Sequence, residues 1–146
     1  MDDLVRWLAD RLDEDERAAC RACAHVSATW YVDEEFGGAV LGWAPGPSAS
    51  EEVPRTSRRG IMIAPHGPGV APHIARHDPD RVLRHIRSVR AVIGDLARAL
   101  RKRDEHPPGT LAFQQWDNRA HGLHRALLRT AAVYADRPGY RAEWAL

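Results

Sequence analysis

Two histidines four residues apart, His73 and His77, are the first pair in the chain whose spacing suits chemistry. On a short helix over 72–77 both imidazoles would point the same way, the arrangement by which a helix offers two ligands to one divalent metal. Asp78 or His66 would supply a third ligand. The glutamate that a histidine metalloprotease helix carries beside its first histidine is missing, since Ile74 stands there. The same residues also have a structural reading, with His73 partly packed and hydrogen-bonded and His77 capping carbonyls at a helix end. Spacing alone leaves both readings open.

Arginines are the second chemical feature. Arg84, Arg87, Arg98 and Arg101, with their neighbours, give the segment 79–104 a basic exterior that would track phosphates if left uncovered. Their steps of three drift around a helix, and no aromatic residue interleaves them within the segment, so a solvated face paired with an acidic helix is the preferred reading. Cys20 and Cys23 form a lone Cys-x-x-Cys with no second pair, no haem-type histidine after it and no thioredoxin-like strand before it, which favours core packing of Cys23. His121 and His124, three apart, and His85 read as helix-face histidines. Nucleophile elbows, phosphate loops, dinucleotide fingerprints and closely paired catalytic carboxylates are absent from the sequence.

The elements that would position these groups follow from periodicity and punctuation. Leu4, Val5, Leu8, Leu12, Ala19 and Cys23 recur on one face and predict a helix over 2–24, with Asp2 and Asp3 where the helix dipole favours negative charge. Short β-branched and aromatic runs at 29–32, 39–43 and 61–64 predict a small antiparallel sheet within 29–64. Its internal loop, 44–60, is rich in proline, serine and charge and is expected to be flexible. Asp78-Pro79 is a start signal for a helix over 79–104, because the carboxylate accepts from free N–H groups and proline leaves none at the first position. Val82, Ile86, Val89, Ile93, Leu96 and Leu100 alternate four and three apart along it, a seam for another helix. After His106-Pro107-Pro108-Gly109, Thr110 caps a predicted helix over 111–134 with Leu111, Trp116, Ala120, Leu123, Leu127, Ala131 and Tyr134 on one face. The two helices should form an antiparallel hairpin, and Tyr140 and Trp144 should fold the tail 136–146 back onto the body.

Three segments, DDLVRWLADRLDEDE, HIARHDPDRVLRHI and YADRPGYRAEW, in that order, resemble a family of short actinobacterial proteins of unknown function that also occurs in phage-like and mobile-element contexts. The resemblance spans nearly the whole chain and implies no activity. It departs at Ser27-Ala28-Thr29-Trp30, where relatives carry a Pro-Gly-Pro-Trp type segment, and at Arg137, where histidine is common. Neither cysteine belongs to the family pattern. The distinctiveness of the middle and last motifs suggests that they meet. His73, His77, Asp78, Tyr134, Asp136, Tyr140 and Trp144 are therefore the candidate ligand site or structural polar corner.

Composition sets the outer bounds. A chain of 146 residues, 44% hydrophobic, suits a single domain over 1–146 that buries a core without disulfides. Residues 1–52 carry 4 basic against 12 acidic side chains and residues 53–146 carry 17 against 8, so the net charge of +1 conceals an acidic and a basic half. The acidic start and the lack of a long apolar run predict a cytoplasmic protein with no membrane contact. The expected fold is α+β, with three main helices and a small antiparallel β-sheet. The expected function is a non-catalytic interaction or accessory protein, with a protein partner or a homo-oligomer. The alternatives are a metal-binding protein or metal-dependent enzyme centred on His73 and His77, with a divalent metal as cofactor, and a nucleic-acid-associated regulator using the arginine helix.

Overall fold

Four helices form, α1 (Asp2–Cys23), α2 (Val70–Arg76), α3 (Pro79–Asp104) and α4 (Leu111–Ala131), and a carboxylate (Asp78) and a hydroxyl (Thr110) meet the free backbone N–H groups at the starts of α3 and α4. Two strands, β1 (Trp30–Asp33) and β2 (Ala39–Gly42), complete an α+β architecture that is mostly helical. The structure is a computed structural model and describes residues 2–24, 27–33, 35, 38–42 and 69–145. The expected flexible loop 44–60, the third strand 61–64 and His66 lie outside the described residues. Contacts divide the chain into two compact units, residues 14–85 and residues 1–13 with 86–146.

In the unit of residues 14–85, β1 and β2 pair antiparallel with Trp30 opposite Gly42 and Asp33 opposite Ala39. The turn between them is held by the Gly38 N–H donating to the Asp33 carbonyl at 3.0 Å and the Glu35 N–H donating to Asp33 Oδ1 at 3.0 Å. All of β2 is buried, and α2 packs against both strands. Alternation of apolar and polar residues is therefore absent from β2, as expected of a strand covered on both faces. The predicted helix 72–77 begins earlier, at Val70, and ends at Arg76. Gly69 precedes it at φ 91°, a left-handed conformation that glycine takes without steric cost.

Asp78 joins sheet and helix in this unit. Its Oδ1 accepts from the Arg81 N–H at 2.8 Å, and its Oδ2 accepts from the Trp30 N–H at 3.3 Å. The Asp80 N–H donates to the Ala28 carbonyl at 2.9 Å, and Pro79 has no N–H to satisfy. The N–H groups of Asp80 and Arg81 in the first turn of α3 thus have acceptors, and the carboxylate is only 7% exposed.

In the other unit, α1, α3 and α4 supply a helical core. Leu4, Leu8 and Leu12 are buried with Ile86, Val89, Leu96, Ala99, Ala120, Leu127 and Ala131. Asp13 pairs with Arg90 at 2.6 Å while Asp2 and Leu100 line the same groove, so α1 and α3 run antiparallel. Arg103 pairs with Asp117 at 3.4 Å and Asp95 lines a recess with Arg119, so α3 and α4 also run antiparallel. The predicted hairpin forms. Gly109 turns the chain at φ 87°, and Thr110 caps α4 by accepting from the Phe113 N–H at 3.2 Å.

Two assignments of the helix faces change. Leu111, placed on the apolar face, is 71% exposed, because the first residue of α4 precedes the turn at which its apolar face meets α3. The α-helix stops at Ala131 instead of reaching residue 134, and Ala132–Tyr134 continues as a 3-10 turn that still buries Tyr134. On α3 the seam is only partly sealed: Ile86, Val89 and Leu96 are buried, whereas Val82, Ile93 and Leu100 are half-buried. Ala99, outside the predicted seam, is 0% exposed because its small side chain permits close helix approach.

Candidate functional site

Ring geometry on α2 decides what the histidine pair offers. His73 and His77 have ring centroids 4.3 Å apart with planes tilted by 33°, and both side chains are exposed. His77 Nδ1 lies 2.8 Å from the His73 carbonyl, which can only accept, so Nδ1 carries the proton and Nε2 is the nitrogen left for a ligand. The Arg76 carbonyl accepts from the Arg81 guanidinium at 3.0 Å, closing the end of α2. His77 thus does cap a helix carbonyl, while His73 is exposed where partial packing was expected. Both Asp78 oxygens accept backbone N–H groups, so its carboxylate serves the cap and the strand. Among the described residues no group of three His, Cys, Asp or Glu side chains is placed to hold a metal ion.

The C-terminal residues of the expected corner belong to the other unit. There Tyr134, Tyr140 and Trp144 surround Trp7 of α1, with ring centroids 6.5, 5.7 and 5.1 Å from it. Trp7 Nε1 donates to the Pro138 carbonyl at 3.0 Å. Arg11 lies over the Trp7 ring and Arg141 over Trp144, and Arg141 pairs with Asp3 at 3.1 Å. Gly139, at φ 82°, sits so close that a Cβ there would lie 3.0 Å from Trp7 Nε1. The tail therefore folds back, as its aromatics suggest, onto a tryptophan that periodicity does not single out. Asp136 is exposed.

No single sequence pattern predicts two recesses found among the described residues of this unit. The first is an apolar groove of about 280 Å³ between α1 and α3, floored by Val5, Ala9, Ile93, Ala97 and Leu100 with Asp2 and Arg6 at its edge. The second, of about 160 Å³, is lined by Asp95 and Arg98 of α3 and Trp116 and Arg119 of α4. Arg98 was singled out with Arg84, Arg87 and Arg101. Arg84, in the other unit, pairs with Asp80, whereas Arg87, Arg98 and Arg101 are exposed and in no ion pair among the described residues. The expected neutralisation by the acidic helix is thus partial among the described residues: Asp13 takes Arg90, whereas Arg103 is held by Asp104 of its own helix and Asp117 of α4.

Sequence comparison agrees with the fold on one point of identity, because a family model matches residues 1–146 without interruption. The chain belongs to DUF6221, a family of unknown function. No curated protein and no solved structure matches this DUF6221 chain. Among its described residues, no helix is long and apolar enough to cross a membrane. The cysteines of this DUF6221 member are free, Cys20 exposed and Cys23 half-buried. Burial, with Cys20 and the Asp80 and Asp78 carboxylates, raises the Cys23 thiol, keeping it protonated and a poor nucleophile.

Proposed function

We propose that this domain is a non-catalytic interaction protein whose docking surface is the groove between α1 and α3, and that the occupant is a second copy of the chain. The groove itself carries the reading. Its floor is apolar, and helix-on-helix packing is what such a floor accommodates. Its two banks differ in charge: α1 carries Asp2 and Asp10 with Arg6 among them, α3 carries Arg87 and Arg101, and Asp13 and Arg90 already pair between the two helices. A two-fold axis running along the groove sets each acidic α1 bank against the partner's basic α3 bank, twice over, and makes an antiparallel four-helix contact. Ala97 is exposed on the groove floor, so Ala97→Glu introduces a charge there without filling the core. Sedimentation equilibrium should show a wild-type dimer and a folded, monomeric Ala97→Glu variant. A wild-type monomer up to the solubility limit, or a dimer indifferent to Ala97→Glu, rejects the reading.

A metal-binding role for His73 and His77 is the second reading, and His77 supports it. A ring whose Nδ1–H is fixed on a carbonyl presents Nε2 in a set orientation, as metal-binding histidines do. Zinc titration followed by elemental analysis tests it: one bound zinc per chain, lost in His77→Ala, is expected if this reading holds.

A further inference from the structure

The recess between α3 and α4 places an aromatic ring, Trp116, between Arg119 on its own helix and Arg98 on the preceding one. Trp116 is half-buried there, with the Arg119 guanidinium 5.8 Å from its ring centroid and Arg98 across the recess. Neither Arg98 nor Arg119 is in an ion pair among the described residues, in contrast to Arg90, Lys102, Arg103 and Arg141. Asp95 lines the same recess and pairs with neither arginine, although it lies one helical turn from Arg98.

We infer that Asp95, Arg98, Trp116 and Arg119 form a subsite for one nucleotide of a single-stranded nucleic acid. A base lies against the indole and the Arg119 plane, where stacking is available to any base. Arg98 and Arg119 take the phosphates outside the recess. Asp95 determines that the base, not the phosphate, enters: a carboxylate repels an anion at that position and accepts from a base-edge N–H, such as the cytosine N4 amine. A duplex keeps its bases stacked and leaves the indole without a partner. An acidic peptide meets the arginines but is repelled by Asp95.

The test is fluorescence anisotropy of the full chain with labelled oligo-dC, oligo-dT, the same sequences as duplex, and a polyglutamate peptide, across a range of salt. Expected are salt-dependent binding of single strands, a preference for oligo-dC over oligo-dT, and weaker binding of duplex and peptide. Trp116→Leu should weaken binding roughly tenfold without changing the salt slope. Arg98→Gln and Arg119→Gln should each reduce the slope of log affinity against log salt by about 0.7. Asp95→Ala should bind both oligonucleotides and abolish the preference for oligo-dC. Trp116→Phe, which keeps a ring, should bind close to wild type and guards against a folding defect, with circular dichroism as the control. Failure to bind single strands at low salt, equal binding of duplex or polyglutamate, or full affinity in a folded Trp116→Leu variant would overturn the subsite.

Discussion

Asp78 shows how one side chain can look like a ligand in sequence and work as a fastener in the fold. Its two oxygens serve different elements, Oδ1 the first turn of α3 and Oδ2 the first N–H of β1. The two jobs separate by mutation. Asp78→Asn keeps an acceptor for the cap but turns an amide toward Trp30, and should cost about 1 kcal/mol. Asp78→Ala removes both acceptors and should cost about 2–3 kcal/mol, measured by urea denaturation. Equal losses in the two variants would mean that the cap contributes nothing beyond the strand tether, and a neutral Asp78→Asn would mean that the tether contributes nothing. His124 makes a second prediction at this scale. Burial lowers its pKa, with His121 adding to the effect, so the folded state binds its proton less readily than the unfolded chain does. Stability from this group is therefore complete above the unfolded value of about 6.5 and falls as pH drops below it. His124→Gln should flatten the stability profile between pH 7 and 5, and an unchanged slope would remove His124 from the account. Cap chemistry at Asp78 was legible from Asp-Pro. Its bond to Trp30 was not, because the partner lies 48 residues away.

At the scale of elements, a heptad-like seam gives the helix and its inward face but not how completely each position is covered. Both Leu96 and Ile93 border the groove, but Leu96 is buried in its wall whereas Ile93, three residues earlier in the same seam, is only half-buried. Leu96→Ala should cost about 2–5 kcal/mol, the range for emptying a packed site, and Ile93→Ala clearly less. Thermal or chemical denaturation of the two variants checks the order, and the reverse order would contradict the placement of the groove. The C-terminal tail obeys the same logic. Aromatic composition announces that it docks, but the receiving surface is Trp7, and the close approach at Pro138-Gly139 requires a residue without a Cβ at positive φ. Gly139→Ala should cost about 1–2 kcal/mol from the left-handed backbone alone, with the Trp7 contact adding to it. A near-neutral Gly139→Ala would show that the tail contact is not maintained in solution.

For the whole molecule, charge is distributed so that an almost neutral chain is strongly polar along its length. Among the described residues the acidic and basic halves meet at pairs such as Asp13–Arg90 and Asp3–Arg141, and Arg87, Arg98 and Arg101 of α3 are in no ion pair. Association of two copies through oppositely charged banks should therefore weaken as salt rises from about 0.05 to 0.5 M, while the apolar floor holds a residual affinity. Sedimentation across that range measures both contributions. An affinity independent of salt would show that the banks contribute nothing and leave the floor alone as the cause.

Sequence by itself determined the helices, because periodicity, Asp-Pro, Thr110 and the Pro-Pro-Gly turn are local signals acting within a few residues. It also determined the antiparallel pairing of α3 and α4, since a short turn between two apolar seams allows little else. Tertiary structure alone decided where chemistry could gather. Trp116 stands beside Arg98, and Trp7 beside Tyr140, only because helices pack at particular registers, and register depends on how unlike side chains interlock over the whole contact. The rule that no aromatic interleaves the arginines of 79–104 holds along the chain and fails across the hairpin, where the interleaving ring comes from α4.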